Sequence, residues 1–148
     1  MARLRSSLRR QIEAAVGGPD RLVAPLGRWL SEDLILEADA AADGVARRGS
    51  AIVGIPETTF RRRLRRAGSQ VKAGLAPRMG TWSEVRPILT DLVRCPDVDG
   101  RDLLLAVEQV LLNEIVTRFP RDVKTGSALL GVTAPTYRRR LAALMATG

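Results

Sequence analysis

Histidine is absent from this chain, and cysteine occurs once, as Cys95. No imidazole can therefore act as a general base or metal ligand. A lone cysteine cannot close an intramolecular disulfide, which fits a reducing cytoplasm. Aromatic residues make up 3% of the chain, so any core must be built from Leu, Val, Ile and Ala. Runs of β-branched residues with period two are missing, which argues against half-buried strands. No stretch approaches the roughly 18 apolar residues that would span a bilayer. The N-terminal arginines are not followed by the roughly 7–15-residue apolar core of a secretory signal. The carboxylates form no acid/base or metal constellation. Asp97-Val98-Asp99-Gly100 has the beginning of a calcium loop, but the closing glutamate falls in the wrong place and the first half of the chain has no counterpart. There is no phosphate-binding glycine loop. These absences argue against an enzyme and imply no catalytic residue, no metal and no cofactor.

What is present is positive charge. The 148 residues carry 24 Lys and Arg against 16 Asp and Glu, for a net charge of +8 and a pI near 11.2. Such a balance favours a polyanionic partner. Arginine supplies nearly all of it, since Lys72 and Lys124 are the only lysines. A GC-rich genome would also raise the arginine total; the clustering is what carries information. The hydrophobic share of 45% is that of a globular chain, long enough for one substantial core or two small ones.

The chain repeats itself. Gly49-Ser50-Ala51-Ile52-Val53-Gly54-Ile55 leads into Thr59-Phe60-Arg61-Arg62-Arg63-Leu64. Gly126-Ser127-Ala128-Leu129-Leu130-Gly131-Val132 leads into Thr136-Tyr137-Arg138-Arg139-Arg140-Leu141, 77 residues later and without a gap. The same offset pairs Val16 with Val93, Pro19-Asp20 with Pro96-Asp97, Leu26 with Leu103, Leu34 with Leu111 and Glu37 with Glu114. Two copies are too few for a solenoid but suit a fused pseudo-dimer, in which one chain supplies both halves of a two-fold assembly.

Apolar spacing of three and four predicts helices. They fall at 3–16, about 28–42, 44–53, a segment from near Pro56 to Ala67, 82–94, 101–118, 122–130 and 134–145. Gly54 and Gly131 suit the left-handed residue that ends a helix, and Thr133 is a natural N-cap. The organisation expected is a first repeat at 1–71 with a helix-turn-helix at about 44–67, a linker at 72–81 overlapping the Gly- and Pro-bearing stretch from Gly68 to Gly80, and a second repeat at 82–148 with a helix-turn-helix at about 122–145. Trp29, Trp82, Phe60 and Tyr137 are expected to be packing anchors rather than platforms for stacking bases.

The long amphipathic run from Leu103 to Val116, followed by Ser127-Ala128-Leu129-Leu130-Gly131-Val132 and Thr136-Tyr137-Arg138-Arg139-Arg140-Leu141, resembles the Fis-type DNA-binding domain (factor for inversion stimulation). The likeness covers 97–144 and, in the first half, chiefly 34–66. It implies an all-α fold in which two Fis-like four-helix repeats form an intramolecular pseudo-dimer with two helix-turn-helix units. By that resemblance the recognition-helix threonines are Thr59 and Thr136, and the basic runs are Arg61, Arg62, Arg63 and Arg138, Arg139, Arg140. Where the family opens this helix with a polar cap and a base-reading basic residue, this chain has Pro56-Glu57 and Thr133-Ala134. Alanine cannot hydrogen-bond a base, and glutamate accepts only from an amino group while repelling phosphate. Backbone clamping and shape readout are then the expected modes.

The physical reading of the residues agrees. Phe60, Leu64 and Ala67 share a helix face, leaving Arg62, Arg63 and Arg66 outside or flanking it. Guanidinium forks grip phosphate oxygens bidentately, and Lys124 and Thr133 lie at the matching helix-turn-helix of the second half. The expected function is a bacterial-type regulator or nucleoid-associated protein, cytoplasmic and bound to double-stranded DNA, with RNA polymerase or another regulator as a further partner and no membrane. It would be a monomeric pseudo-dimer or a homodimer. Displacing about six to eight counterions would give a log–log salt slope of roughly −5 to −7. Two-fold related recognition helices entering successive major grooves would stand about 34 Å apart; a shorter spacing would need bent DNA, at about 1–6 kcal/mol. The alternative is a helical protein–protein interaction module whose helix-turn-helix units have degenerated, with Glu57 and Ala134 as symptoms.

Overall fold

The computed structural model describes residues 2–16, 23–72, 80–94 and 103–147. Among them are eight α-helices: α1 (Ala2–Val16), α2 (Leu26–Ala41), α3 (Ala46–Val53), α4 (Glu57–Lys72), α5 (Val85–Arg94), α6 (Leu103–Arg118), α7 (Val123–Leu130) and α8 (Ala134–Thr147). No strand occurs among the described residues. Residues 73–79 of the expected linker, Pro19-Asp20, Cys95 and the Pro96–Gly100 turn lie outside them.

Two boundaries differ from expectation by more than two residues. Helix α4 runs past Gly68 to Lys72, into the stretch expected to be linker. One helical glycine costs only about 1 kcal/mol, too little to end a helix already under way. The helix expected at 82–94 opens instead as a 3-10 turn, Gly80–Glu84, and becomes α-helical at Val85. Pro87 explains this. Starting the α-helix earlier would put Pro87 beyond the first turn, where its missing N–H and its ring would break the ladder.

Each helix buries the face its sequence marks. Leu4, Leu8, Ile12 and Ala15 of α1 are buried, as are Leu26, Leu30, Leu34 and Ala38 of α2. Fully burying one such leucine stabilises by about 1.5–3 kcal/mol. Helix α6 is apolar on more than one face, with Leu103, Val107, Leu111, Leu112 and Ile115 all buried. Its neighbours account for that, because α1, α2, α3 and α7 all pack on it. Helix α2 is similarly central and touches α3, α4, α5, α6 and α7. A single hydrophobic cluster draws on both halves of the sequence, from Leu4 to Tyr137.

The halves interlock through exchanged contacts. Helix α1 of the first half packs on α6 of the second, and α5 of the second packs on α2 of the first. Each crossing carries a buried glutamate held by an arginine from the other half. Arg9 Nε donates to Glu114 Oε2 at 3.1 Å, and Arg86 Nε donates to Glu37 Oε1 at 2.9 Å. Arg9 and Arg86, and Glu37 and Glu114, are 77 residues apart. The carboxylates are nearly sequestered, with side-chain exposures of 9% for Glu114 and 11% for Glu37. A charge so placed must be paired and hydrogen-bonded to be tolerated. The bond to Glu114 raises the Arg9 pKa above its usual value, and the bond to Glu37 does the same for Arg86. The α2–α5 crossing has an addition without a counterpart at the other. Trp82 Nε1 donates to buried Asp33 Oδ2 at 2.8 Å, and Trp29 meets Trp82 edge to face at 5.4 Å.

Candidate nucleic-acid interface

Each half ends in a short helix joined by a tight turn to a longer one, α3–α4 and α7–α8, and the helices of each pair pack on one another. Gly54 and Gly131 close the first helix of each pair with φ of 80° and 76°. Glycine occupies this left-handed conformation without steric cost. The same bonds form at both turns. The Gly54 and Ile55 N–H groups donate to the Ser50 carbonyl, and those of Gly131 and Val132 to the Ser127 carbonyl. Behind each turn a glycine lets an aromatic ring through. A Cβ on Gly49 would overlap the Phe60 ring, and one on Gly126 would overlap the Tyr137 hydroxyl. Phe60 and Tyr137 are accordingly buried, as their helical register implied. Burial raises the Tyr137 pKa above the phenol's usual value.

The turns differ in how their helices start. Asp122 caps α7, its Oδ1 accepting from the Thr125 N–H at 3.0 Å. That backbone bond holds the Asp122 carboxyl below its usual pKa. Val45, which precedes α3, offers no side-chain cap. Thr133 takes up the N-cap position of α8, accepting from the Thr136 N–H at 3.4 Å, with its hydroxyl 3.0 Å from that of Thr136. Helix α4 instead begins at Glu57, whose carboxylate favours the positive end of the helix dipole.

The six arginines of the two basic runs do not behave alike. Arg62, Arg138 and Arg139 are exposed and make no ion pair among the described residues. Arg61 is exposed but pairs with Glu57 one turn earlier on the same helix. Arg63 and Arg140 are half-buried and turn toward the protein. Arg63 Nη1 donates to the Ser31 hydroxyl at 3.2 Å, and Arg140 Nη1 to Glu108 Oε2 at 3.0 Å. Ser31 and Glu108 are again 77 residues apart, so these two arginines occupy matching positions with different partners. Of the six arginines in the two basic runs, three are exposed with no ion pair among the described residues, one is tied within its own helix, and two reach back to α2 and α6. Arg66 and Lys124 are exposed, while Thr59 and Thr136 are half-buried.

The structure brings the two arginine-bearing helices to one place. A cleft of about 440 Å³ is lined by Arg62, Arg63 and Arg66 of α4, by Arg140 of α8, and by Arg28 and Glu32 of α2. Its floor is formed where α2 meets the α7–α8 turn. Gly27 of α2 lies so close to α7 that a Cβ there would overlap the Leu130 carbonyl oxygen. The repeat does not mark Arg28, because Leu105 stands at the matching position. Arg65 and the α3 pair Arg47 and Arg48 are also exposed. The repeat leaves Arg48 and Arg65 unmarked, with Thr125 and Ala142 at the corresponding positions, whereas Arg47 answers to Lys124; the Arg65-Arg66 pair directly continues the basic run. A concave surface rimmed by planar guanidiniums can clamp phosphate oxygens and raise the local concentration of a polyanion.

Among the described residues no group of three or more acidic, cysteine or histidine side chains could hold a metal ion, and no helix is long and apolar enough to cross a membrane. No protein-family model matches the chain, and comparison with curated proteins and with solved structures returned no match.

Proposed function

We propose that this chain is a duplex-DNA-binding protein of the bacterial regulator or nucleoid-associated kind, folded as an intramolecular pseudo-dimer of two Fis-like units. The observation that carries the reading is the convergence of Arg62, Arg63 and Arg66 from one recognition helix and Arg140 from the other on a single cleft. The pseudo-dimer is supported by the exchanged pairs Arg9–Glu114 and Arg86–Glu37. Phosphate contacts would supply most of the affinity and base contacts little of it, because the recognition helices open with Glu57 and Ala134 where a base-reading donor would stand. DNA shape and deformability would then set any preference among sequences. A cytoplasmic, nucleoid location follows from that partner.

The test is filter binding of a random-sequence duplex over a salt series. The expected log–log slope is roughly −5 to −7, for about six to eight phosphates contacted. A flat response rules the reading out. Replacing Arg61, Arg62, Arg63, Arg138, Arg139 and Arg140 together with alanine should abolish most of the affinity while circular dichroism retains the helical signal.

A second reading draws on the pairing of Arg61 with Glu57 and of Arg140 with Glu108. Two arginines committed to protein carboxylates suit a helical protein–protein interaction module with degenerate helix-turn-helix units. That reading is favoured if the sixfold variant binds duplex as wild type does.

A further inference from the structure

The two recognition units are built to the same plan but are unequally charged. On the first, Arg28, Arg62 and Arg66 are exposed, line the cleft and make no ion pair among the described residues. Arg63 beside them bonds only a neutral hydroxyl, that of Ser31. The residues 77 positions later are Leu105 for Arg28, Arg139 for Arg62, Ala143 for Arg66 and Arg140 for Arg63. Only one of these four second-half residues, Arg140, lines the cleft, and its charge is offset by Glu108 at 3.0 Å. Leu105 and Met145 leave apolar surface on the second half instead, at 50% and 72% exposure. The field in the cleft is therefore generated almost wholly by first-half arginines. Glu32 and Glu108 also line the cleft, so the first half supplies four arginines against one glutamate and the second half one against one. A low-dielectric concavity with such a net positive lining focuses the field outward.

We infer that the protein grips a duplex with polarity: the first unit, through Arg28, Arg62 and Arg66, is the principal phosphate clamp, and the second unit, through Lys124, Arg138 and Arg139, is auxiliary. This rests on the DNA-binding reading given above. A homodimer of identical units could not have such a bias, because each substitution would appear in both halves. One chain carrying both units can place Arg28 on one side and Leu105 on the other.

Two variants of equal charge change test it. One replaces Arg28, Arg62 and Arg66 with glutamine; the other replaces Lys124, Arg138 and Arg139 with glutamine. All six side chains are exposed, and circular dichroism with fluorescence of Trp29 and Trp82 reports whether the fold is intact. On a random-sequence duplex, the first variant should reduce the salt slope by about 2.7, at about 0.9 for each phosphate no longer neutralised, which is roughly a 500-fold loss of affinity at 0.1 M salt. The second should reduce the slope by about 1 or less, a loss of roughly tenfold at most. Equal reductions, or a larger one for the second variant, overturn the polarity and leave DNA binding standing. If wild-type protein binds no duplex at low salt, DNA binding falls and the polarity with it.

Discussion

Gly27→Ala tests the packing of the two halves against each other, because Gly27 is where α2 of the first passes closest to α7 of the second. A methyl group there would overlap the Leu130 carbonyl oxygen and lie 3.0 Å from the Leu130 Cα. The obstacle is backbone, so no rotamer change relieves it. The helices must part by roughly 1 Å to restore ordinary contact distances. Overpacking of this kind costs about 1–3 kcal/mol, and a backbone obstacle belongs at the upper end. Replacing glycine in a helix returns at most about 1 kcal/mol, and less near the helix start. The net loss is then about 2 kcal/mol, which in a chain of this length lowers Tm by about 4–8 °C. Gly68→Ala is the matched control: Gly68 is also helical, and a Cβ there meets nothing within 4 Å. It should gain about 0.5–1 kcal/mol and raise Tm by a few degrees. Thermal and urea unfolding followed by circular dichroism measures both. If Gly27→Ala matches wild type, or moves Tm upward as Gly68→Ala does, the close approach of α2 and α7 is wrong.

Two further outcomes concern polar groups. Ser7 is fully buried and its hydroxyl has no hydrogen-bond partner among the described residues; Ser7→Ala should therefore stabilise by about 1 kcal/mol, and a loss of stability in urea unfolding would mean the hydroxyl is bonded after all. Asp122 has a depressed pKa because its carboxylate accepts from the Thr125 N–H, so its contribution is fully present above the unfolded-state value of about 3.8 and is lost as pH falls through the lower folded value. Asp122→Asn keeps an acceptor at the cap but cannot titrate, and should flatten the acid limb of stability against pH; an unchanged limb would show that the cap does not govern it.

Much of this architecture is legible in the sequence because the repeat is rigid in register. The 77-residue offset marks both glycine turns, and helical spacing alone turns Phe60 and Tyr137 inward. Arginine pairing is harder to read, for two different reasons. Glu57 and Arg61 are four residues apart on one helix, a spacing that does announce a pair. Arg140 and Glu108 are 32 residues apart, and their meeting depends on how α7 turns α8 relative to α6. The length of α4 is misread when Gly68 is given the weight of a terminator, because no proline or left-handed residue accompanies it there. Arg28 is invisible to any argument from the repeat, since it is one of the places where the halves differ.

Where the halves agree and where they differ follows a physical division. Many of the positions that match across 77 residues are those where backbone or buried charge leaves little freedom. Gly54 and Gly131 hold a left-handed turn, Gly49 and Gly126 admit a ring, and Glu37 and Glu114 sit sequestered against Arg86 and Arg9. Several surface positions have diverged in charge, as in Arg28 against Leu105, Glu57 against Ala134 and Arg66 against Ala143, while exposed Arg61 and Arg62 still match Arg138 and Arg139. In a dimer of identical chains a surface substitution is made on both halves at once, so a charge that strengthens one side strengthens the other. A single chain removes that constraint while the interlocked core continues to require its matched contacts. The outcome on the proposed reading is a scaffold with two equivalent frames and one dominant set of arginines. A polyanion would then be held in a preferred orientation by charge alone, before any base edge is read.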